Sequence, residues 1–281
     1  MAWYTIRAVK VVVVTVNYNR ASDTIDLIKS IKKSDLANSE LLVIDNGSTN
    51  DSLATFKTGK NLGFAGGYNF GMKKALELGA EAVLIINNDT LVSPVFLTPL
   101  VKALNSDLTV GAVSPMTYYA DGKKIWWGGG KINLRLGQIN NVGGEVTCDY
   151  LSGVCILFKR EVLEKVGLFD EHFTHTGEDV DLSIRIRQAG YKLLMVPESK
   201  LVHKVSQTGG GEWSPFHLYN VEKYRLLLMK KWGYWRGIVS LILLLPLFIW
   251  RLGGAVIKGD GLSSIAALLR GWYDGYYEKL T

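Results

Sequence analysis

Residues Val11 to Asn19 read VVVVTVNYN. A β-branched run with no polar alternation is a strand buried on both faces, the kind found in parallel sheets. It feeds the polar loop Asn17-Tyr18-Asn19. Val9 to Val16 is also interrupted by Lys10 and lacks a small-residue cleavage site, so it reads as a first strand and not as a secretory leader. The same pattern recurs further along the chain. Ser22 or Asp23 is placed to cap a helix with Ile25, Ile28 and Ile31 on its apolar positions. Leu41 to Ile44 is a second buried strand, stopped by Asp45-Asn46-Gly47-Ser48. A glycine-rich stretch, Asn61 to Gly71, leads into a helix ending near Leu78. Ala82 to Ile86 is a third strand, stopped by Asn87-Asn88-Asp89. Strand and helix in alternation predict a mixed, mostly parallel α/β sheet flanked by helices. In open sheets of this kind ligands bind beyond the carboxyl ends of the strands. Asn17, Asp45 and Asp89 are therefore expected to converge on one crevice.

The second half changes character. Pro94 to Leu104 reads as a helix. Val110 to Thr147 holds short strands and many glycines, with Trp126-Trp127 before Gly128-Gly129-Gly130. Tyr150 to Phe158 reads as a strand and Arg160 to Val166 as a short helix. A helix from Gly177 reaches about Ala189, where Gly190 closes it. Tyr191 to Val196 and Lys200 to His203 read as two strands, and Pro215 to Trp232 as a long helix. The expected division is a catalytic domain over 1–215, split near 105 into nucleotide-binding and acceptor parts, with a helical extension over 216–281.

Composition narrows the class. The chain has 281 residues, 48% hydrophobic and 21% charged, which suits a globular body. Two cysteines, Cys148 and Cys155, are too few for a disulfide framework and show no zinc spacing. They read as reduced thiols of a cytosolic protein. From Glu222 onward nine Lys or Arg face four acids, which places +5 of the net +6 in the tail. Trp232, Trp235, Trp250 and Trp272 lie among them. Basic charge mixed with aromatics suits nucleic acid or an anionic membrane. The apolar run Ile238 to Trp250 argues for membrane and against nucleic acid, because nucleic-acid surfaces need no such run. Gly237 to Trp250 is broken by Pro246 and is shorter than the about 20 residues a span takes. An interfacial helix is the expectation, beside a full span and a buried helix or oligomer contact. A second helix, Ser263 to Tyr276, is expected to lie beside it.

Several constellations can carry chemistry. Asn87-Asn88-Asp89-Thr90 ends a buried strand; it reads either as a plain turn or as a site where Asp89 binds a hard cation shared with phosphates. Thr176-Gly177-Glu178-Asp179-Val180-Asp181 opens a helix. Thr176 with Asp179 resembles a capping box, and Asp181 can pair with Arg185. A general base is the other use for one of these acids. His203 is a structural histidine or a third metal ligand. The glycine-rich stretch matches neither a dinucleotide fingerprint nor a P-loop; its glycines either admit a nucleotide or pack a helix close to the sheet. Trp126 and Trp127 face a sugar or pack a hairpin.

In this order the segments resemble family 2 glycosyltransferases of the GT-A fold, and within them a rhamnosyltransferase-like branch. The matching segments are Val12 to Asn19, Val43 to Thr49, Asn61 to Gly71, Ile86 to Thr90, Leu151-Ser152-Gly153, and Gly167 to Glu171 with Gly177 to Arg185. His203 stands where that family places a metal-binding histidine. The resemblance implies that Thr15, Asn17 and Asp45 line the nucleotide pocket, with Asn61 and Gly63 shaping it. Asn87-Asn88-Asp89 stands at the family's DxD motif, with Asn87 for its first Asp. Asn87 and Asn88 would face the nucleotide, and Asp89 with His203 would hold Mn²⁺ or Mg²⁺. Asp179 would be the catalytic base, with Glu178 the second choice. Ser152, Gly153, Trp126 and Trp127 would lie near donor sugar or acceptor. The activity implied is inverting transfer of a sugar, L-rhamnose from dTDP-L-rhamnose first and a UDP-sugar second, to a glycan or polyprenyl-diphosphate-linked acceptor. The work would be done at the cytoplasmic face of a membrane, with an oligomer left open. A non-catalytic carbohydrate-binding subunit of the same fold is the alternative. A nucleotidyltransferase would need a glycine-rich loop after the first strand, where Asn17-Tyr18-Asn19-Arg20 has no glycine.

Overall fold

The computed structural model describes residues 9–49, 53–144, 146–204, 211 and 213–278. Strand β1 (Val11–Asn17) is buried on both faces, as its composition requires. Val12 and Val14 pack into one core layer, Val11 and Val13 into the other. It lies between β2 (Glu40–Asp45) and β4 (Ala82–Ile86), parallel to both. The short β3 (Phe56–Lys57) continues the sheet beyond β2. On the other side come β11 (Cys155–Lys159), β6 (Val110–Tyr118), β12 (Lys192–His203) and β10 (Thr147–Cys148). Strand β11 runs antiparallel to β4 and β6, whereas β12 runs parallel to β6. Strand β5 (Thr90–Val92) pairs with the end of β12, and β7 (Ile125–Trp127) with the end of β6. The hairpin of β8 (Gly130–Asn133) and β9 (Gln138–Asn141) stands apart from this sheet.

Helices cover both faces. Helix α1 (Ala21–Ile31) and α3 (Leu97–Leu104) share a core with Val13, Leu84 and Leu157. Helices α2 (Gly63–Glu77), α4 (Arg160–Val166) and α5 (Glu178–Gln188) share the opposite core with Val14, Ile44 and Ile85. The glycine-rich stretch lies largely within α2, and its glycines are a packing device. A methyl on Gly71 would overlap Val14 Cγ1 and lie 2.9 Å from Ile44 Cγ1. One on Gly67 would stand 3.0 Å from Asn46 Nδ2. Helix and sheet approach too closely for side chains there.

Several local expectations are corrected. Helix α1 starts after Arg20, with no side-chain cap from Ser22 or Asp23. Thr24 Oγ instead donates to Asn17 Oδ1 at 3.2 Å, fastening the first turn to β1. Helix α3 starts at Leu97 because Asp35 caps it from a distant loop, accepting the N–H groups of Phe96, Leu97 and Thr98 at 2.8–2.9 Å. Helix α5 has no capping box. Thr176 Oγ donates to the His175 carbonyl, and Gly177 makes the entry at φ +95°, a conformation that suits glycine. Strand β11 begins at Cys155, since Gly153 and Val154 turn the chain and Tyr150 makes only an isolated bridge to Gly130. The two strands expected around Glu198 are one strand with a register shift between Val196 and Lys200, where Pro197 supplies no N–H.

The C-terminal helices are α6 (Pro215–Lys231), α7 (Ile238–Lys258) and α8 (Leu262–Tyr277). Helix α6 buries Tyr224, Leu227 and Leu228 against Phe173 and Val180, at the start of α5. Lys231 reaches Asp170 at 2.6 Å and the buried Asp181 at 2.7 Å. Asp181 also takes the expected pairing with Arg185, at 2.9 Å. Helix α7 continues past Trp250 because Arg251 turns inward to Glu222, at 3.3 Å.

Candidate active site

The site is assembled at the carboxyl ends of β1, β2 and β4, where parallel strands bring distant loops together. Asn17 and Asp45 are register partners at the ends of β1 and β2. Asp45 is buried and its Oδ1 accepts the Ser48 N–H at 3.2 Å. Its neighbour Asn46 organises the next loop. The Asn46 amide donates to Asn61 Oδ1 at 3.2 Å and to the Gly63 carbonyl at 2.9 Å, while its oxygen accepts the Leu62 N–H at 3.0 Å. Asn61 Oδ1 also accepts the Gly63 N–H at 2.8 Å, and Gly63 takes φ +73°. Asn61 and Gly63 are thus held as one rim above the start of α2.

Beyond β4, the Asn87 N–H donates to the Val154 carbonyl at 2.8 Å, which brings the turn after Ser152 alongside. The Tyr68 hydroxyl donates to the Ile86 carbonyl at 2.9 Å and meets Asn87 Oδ1 at 3.0 Å. Within that turn the Gly153 N–H donates to Asp179 Oδ2 at 2.9 Å. Phe64, one turn before Tyr68 on α2, would be 3.4 Å from a methyl at Gly153. Asp179, Gly153, Asn87 and the start of α2 therefore share one corner of the molecule. Ser152 is buried, and its hydroxyl accepts the Val154 N–H at 3.4 Å; it shapes the turn that presents Gly153.

Thr90 at the start of β5 pairs with His203 at the end of β12. This places His203 Nε2 3.3 Å from Asp89 Oδ2, both side chains being under a tenth exposed. His203 Nδ1 is buried and has no hydrogen-bond partner among the described residues. The Trp126 indole stands edge-on to the imidazole, with ring centres 4.7 Å apart at 85°. Trp127 points the other way, into the core beside Tyr150.

The two neighbouring acids of α5 differ. Glu178 is 4% exposed, and its Oε2 has no partner among the described residues. Burial first, and then the adjacent Asp179, raises its carboxyl well above the ordinary value. Asp179 is half-buried. Burial lifts its carboxyl too, the N–H groups of Gly153 and Val180 pull it back, and it stays above the usual carboxylate value.

Some expected site residues are buried or already engaged by the protein itself. Thr15 is fully buried and its hydroxyl has no partner among the described residues. Asn17 Oδ1 serves the Arg20 N–H and Thr24, and its amide faces Ser48 at 3.4 Å. The Asn88 amide donates to Thr24 at 3.0 Å, on the α1 side of the sheet. Tyr68, Asn46 and Phe64 escaped the sequence reading. The signal for Tyr68 was a tyrosine inside an apolar helix, whose hydroxyl needs a partner. Asn46 carried none beyond its turn.

A carboxylate and an imidazole at this spacing are a chemically sound donor pair for a divalent cation, and the orphaned Nδ1 marks a ring not fully used by the protein. No group of three or more His, Cys, Asp or Glu suited to a metal occurs among the described residues. Further ligands would have to come from a bound diphosphate or water.

The sheet with its loop-built rim is that of a GT-A glycosyltransferase. Residues 12–167 match glycosyl transferase family 2, and the chain belongs to that family. It is therefore a glycosyltransferase. It is 26% identical over 236 residues to the N-acetylglucosaminyl-diphospho-decaprenol L-rhamnosyltransferase of Mycobacterium tuberculosis, covering 70% of this chain and 77% of that one. Solved structures agree in fold. The mannosyltransferase PcManGT of Pyrobaculum calidifontis, in complex with GDP-Man and Mn²⁺, superposes with a TM-score of 0.56 at 20% identity, over 92% of this chain and 74% of that one. GalNAc-T7 with UDP, GalNAc and Mn²⁺ gives 0.55 at 18% identity; 69% of this chain matches, but less than half of that one, 43%.

Proposed function

We propose that this chain is an inverting transferase that moves L-rhamnose from dTDP-L-rhamnose to a polyprenyl-diphosphate-linked sugar, with Asp179 as general base. The observation that carries this reading is the Asp179 carboxylate, aimed by the Gly153 N–H at 2.9 Å on the turn beside Asn87. That turn joins the base to the strand end from which Asp89 meets His203. The resemblance to a transferase whose name specifies a decaprenol diphosphate acceptor and L-rhamnose supports the choice of sugar and acceptor.

In the reaction the acceptor oxygen attacks the anomeric carbon as the bond from that carbon to the diphosphate oxygen breaks. The electron pair leaves with the nucleoside diphosphate, and the acceptor proton passes to Asp179. Attack opposite the leaving group inverts the configuration. Asp89 and His203 would hold Mn²⁺ or Mg²⁺, which when bound neutralises charge on the departing diphosphate. Asp45, Asn61 and Gly63 would shape the nucleotide rim, and Gly153 fixes the direction of the base. Residues 1–215 would form the transferase proper. A lipid-linked acceptor puts the work at the cytoplasmic face of a membrane.

The test is a donor panel of dTDP-L-rhamnose and several UDP-sugars, each with Mn²⁺, Mg²⁺ or chelator, followed by nucleoside diphosphate release. Metal-dependent release from dTDP-L-rhamnose is expected. Release from a UDP-sugar alone would replace the donor. No release with any donor, together with binding of free glycans, would favour a carbohydrate-binding subunit.

A further inference from the structure

Helix α7 is built inside out for a protein in water. Its buried positions include Ser240, Leu244 and Ala255, and the same side turns Arg251 toward Glu222. Its outward side carries Ile242, Leu245, Ile249, Trp250, Val256 and Ile257, all exposed. On a 3.6-residue repeat these two sets fall on opposite sides of the helix. Ser240 and Arg251 therefore face protein, and the aliphatic side faces outward. Ionisable groups turned to protein with an aliphatic side turned away is the arrangement found where the surrounding medium is lipid.

The packing fixes the orientation of α7. Leu244 sits with Leu226 and Met229, near the end of α6, while Ala255 sits with Leu218, near its start. Helix α7 thus lies antiparallel along α6, tied midway by the Arg251–Glu222 pair. Phe248 also stacks on Trp272 of α8, with ring centres 4.3 Å apart. The inward side of α7 rests on α6, which packs against Phe173 and Val180, and on α8. Val239–Lys258 is long and apolar enough to cross a membrane, but a crossing helix could not keep this side against α6.

We propose that α7 lies flat in the headgroup and acyl boundary of an anionic bilayer, docking the enzyme without spanning. Exposed Arg236 and Lys258 stand at the two ends of α7, and Arg270 is exposed on α8. Trp250 and Tyr273 supply aromatic rings of the kind that sit at headgroup level. The tail's excess of +5 attracts anionic lipid. Two copies pressed together through this face would bring two such basic surfaces into contact, so charge favours lipid over a second copy. The bilayer's role as the source of acceptor rests on the proposed function; the docking itself does not.

The test is co-sedimentation of the full chain with vesicles of phosphatidylcholine alone and of phosphatidylcholine with phosphatidylglycerol. Binding is expected to the mixed vesicles, to weaken with salt and to be released by an alkaline carbonate wash. The double variant Ile242→Glu/Ile249→Glu changes only exposed positions outside the site. It is expected to keep its melting temperature and donor turnover and to lose vesicle affinity by about tenfold or more. Retention through the carbonate wash would overturn the proposal in favour of a span. Failure to sediment with either vesicle would also overturn it, and light scattering that showed a dimer disrupted by the double variant would assign the face to a second copy. Vesicle binding without turnover of any donor would leave docking in place and remove the transferase reading.

Discussion

Asp179 and Glu178 are neighbours with different environments. Asp179 has a backbone N–H directed at its carboxylate, whereas the buried Glu178 has an oxygen with no partner among the described residues. Under the proposed mechanism, Asp179→Asn lowers kcat by roughly 10²–10⁴ while donor binding, read by thermal shift, is kept. Near-normal turnover in that variant would remove the assignment. Because burial raises the Asp179 carboxyl, the acid limb of the kcat/KM profile should have its midpoint above the ordinary aspartate value. Glu178 gives a stability prediction of definite sign. Its folded-state pKa is raised, so the native chain binds the proton more tightly than the unfolded chain. Stability is then fully present below the unfolded pKa and falls as pH rises toward the folded one. Glu178→Gln has no such loss. Its melting temperature should exceed that of the parent near neutral pH, with the gap closing toward about pH 4. At this scale the sequence showed which residue types were available but not their use. Asn17 and Asn88 look as ligand-ready as Asp45, yet both are occupied with Thr24.

At the scale of elements, α2 shows what composition leaves open. Its glycines were legible as unusual, and two explanations fitted equally well. The structure gives the close approach of Gly71 to Val14 and Ile44 as the reason. Gly71→Ala should therefore cost about 1–3 kcal/mol in denaturant unfolding, since neither neighbour belongs to a mobile side chain end on the surface. An unchanged midpoint would show that α2 can shift outward freely. The short strands were legible because a buried β-branched run between turn residues has few other solutions. Helix starts were less so. Asp35 caps α3 from some 60 residues away in sequence, a relation no local pattern contains. The entry to α5 has the spacing of a capping box, but the Thr176 hydroxyl is spent on the preceding carbonyl and Gly177 makes the turn.

Across the whole molecule, α6 joins the outer helices to the catalytic corner. Inward, Tyr224 meets the Thr174 hydroxyl, and the Thr174 carbonyl accepts the Phe64 N–H at 3.0 Å. Outward, the fully buried Glu222 holds Arg225 at 3.1 Å, Arg251 at 3.3 Å and the Trp272 indole at 2.6 Å. Removing one member of such a buried ionic cluster strands the others. Glu222→Gln should lose about 3–5 kcal/mol in chemical denaturation. A loss within experimental scatter would mean that water already reaches the cluster.

The sequence by itself determined the strand and helix rhythm, the edge of the sheet at which chemistry is placed, and the basic, apolar nature of the tail. These follow from hydrophobic periodicity and local turn chemistry, which act over a few residues. Only the tertiary structure decided that Gly153 aims Asp179, that Asp35 caps α3, and that Arg251 turns α7 inside out against Glu222. Each of these needs two groups far apart in the chain to share a burial site. The free energy of such a contact depends on what else is excluded from it, and no local stretch of residues records that.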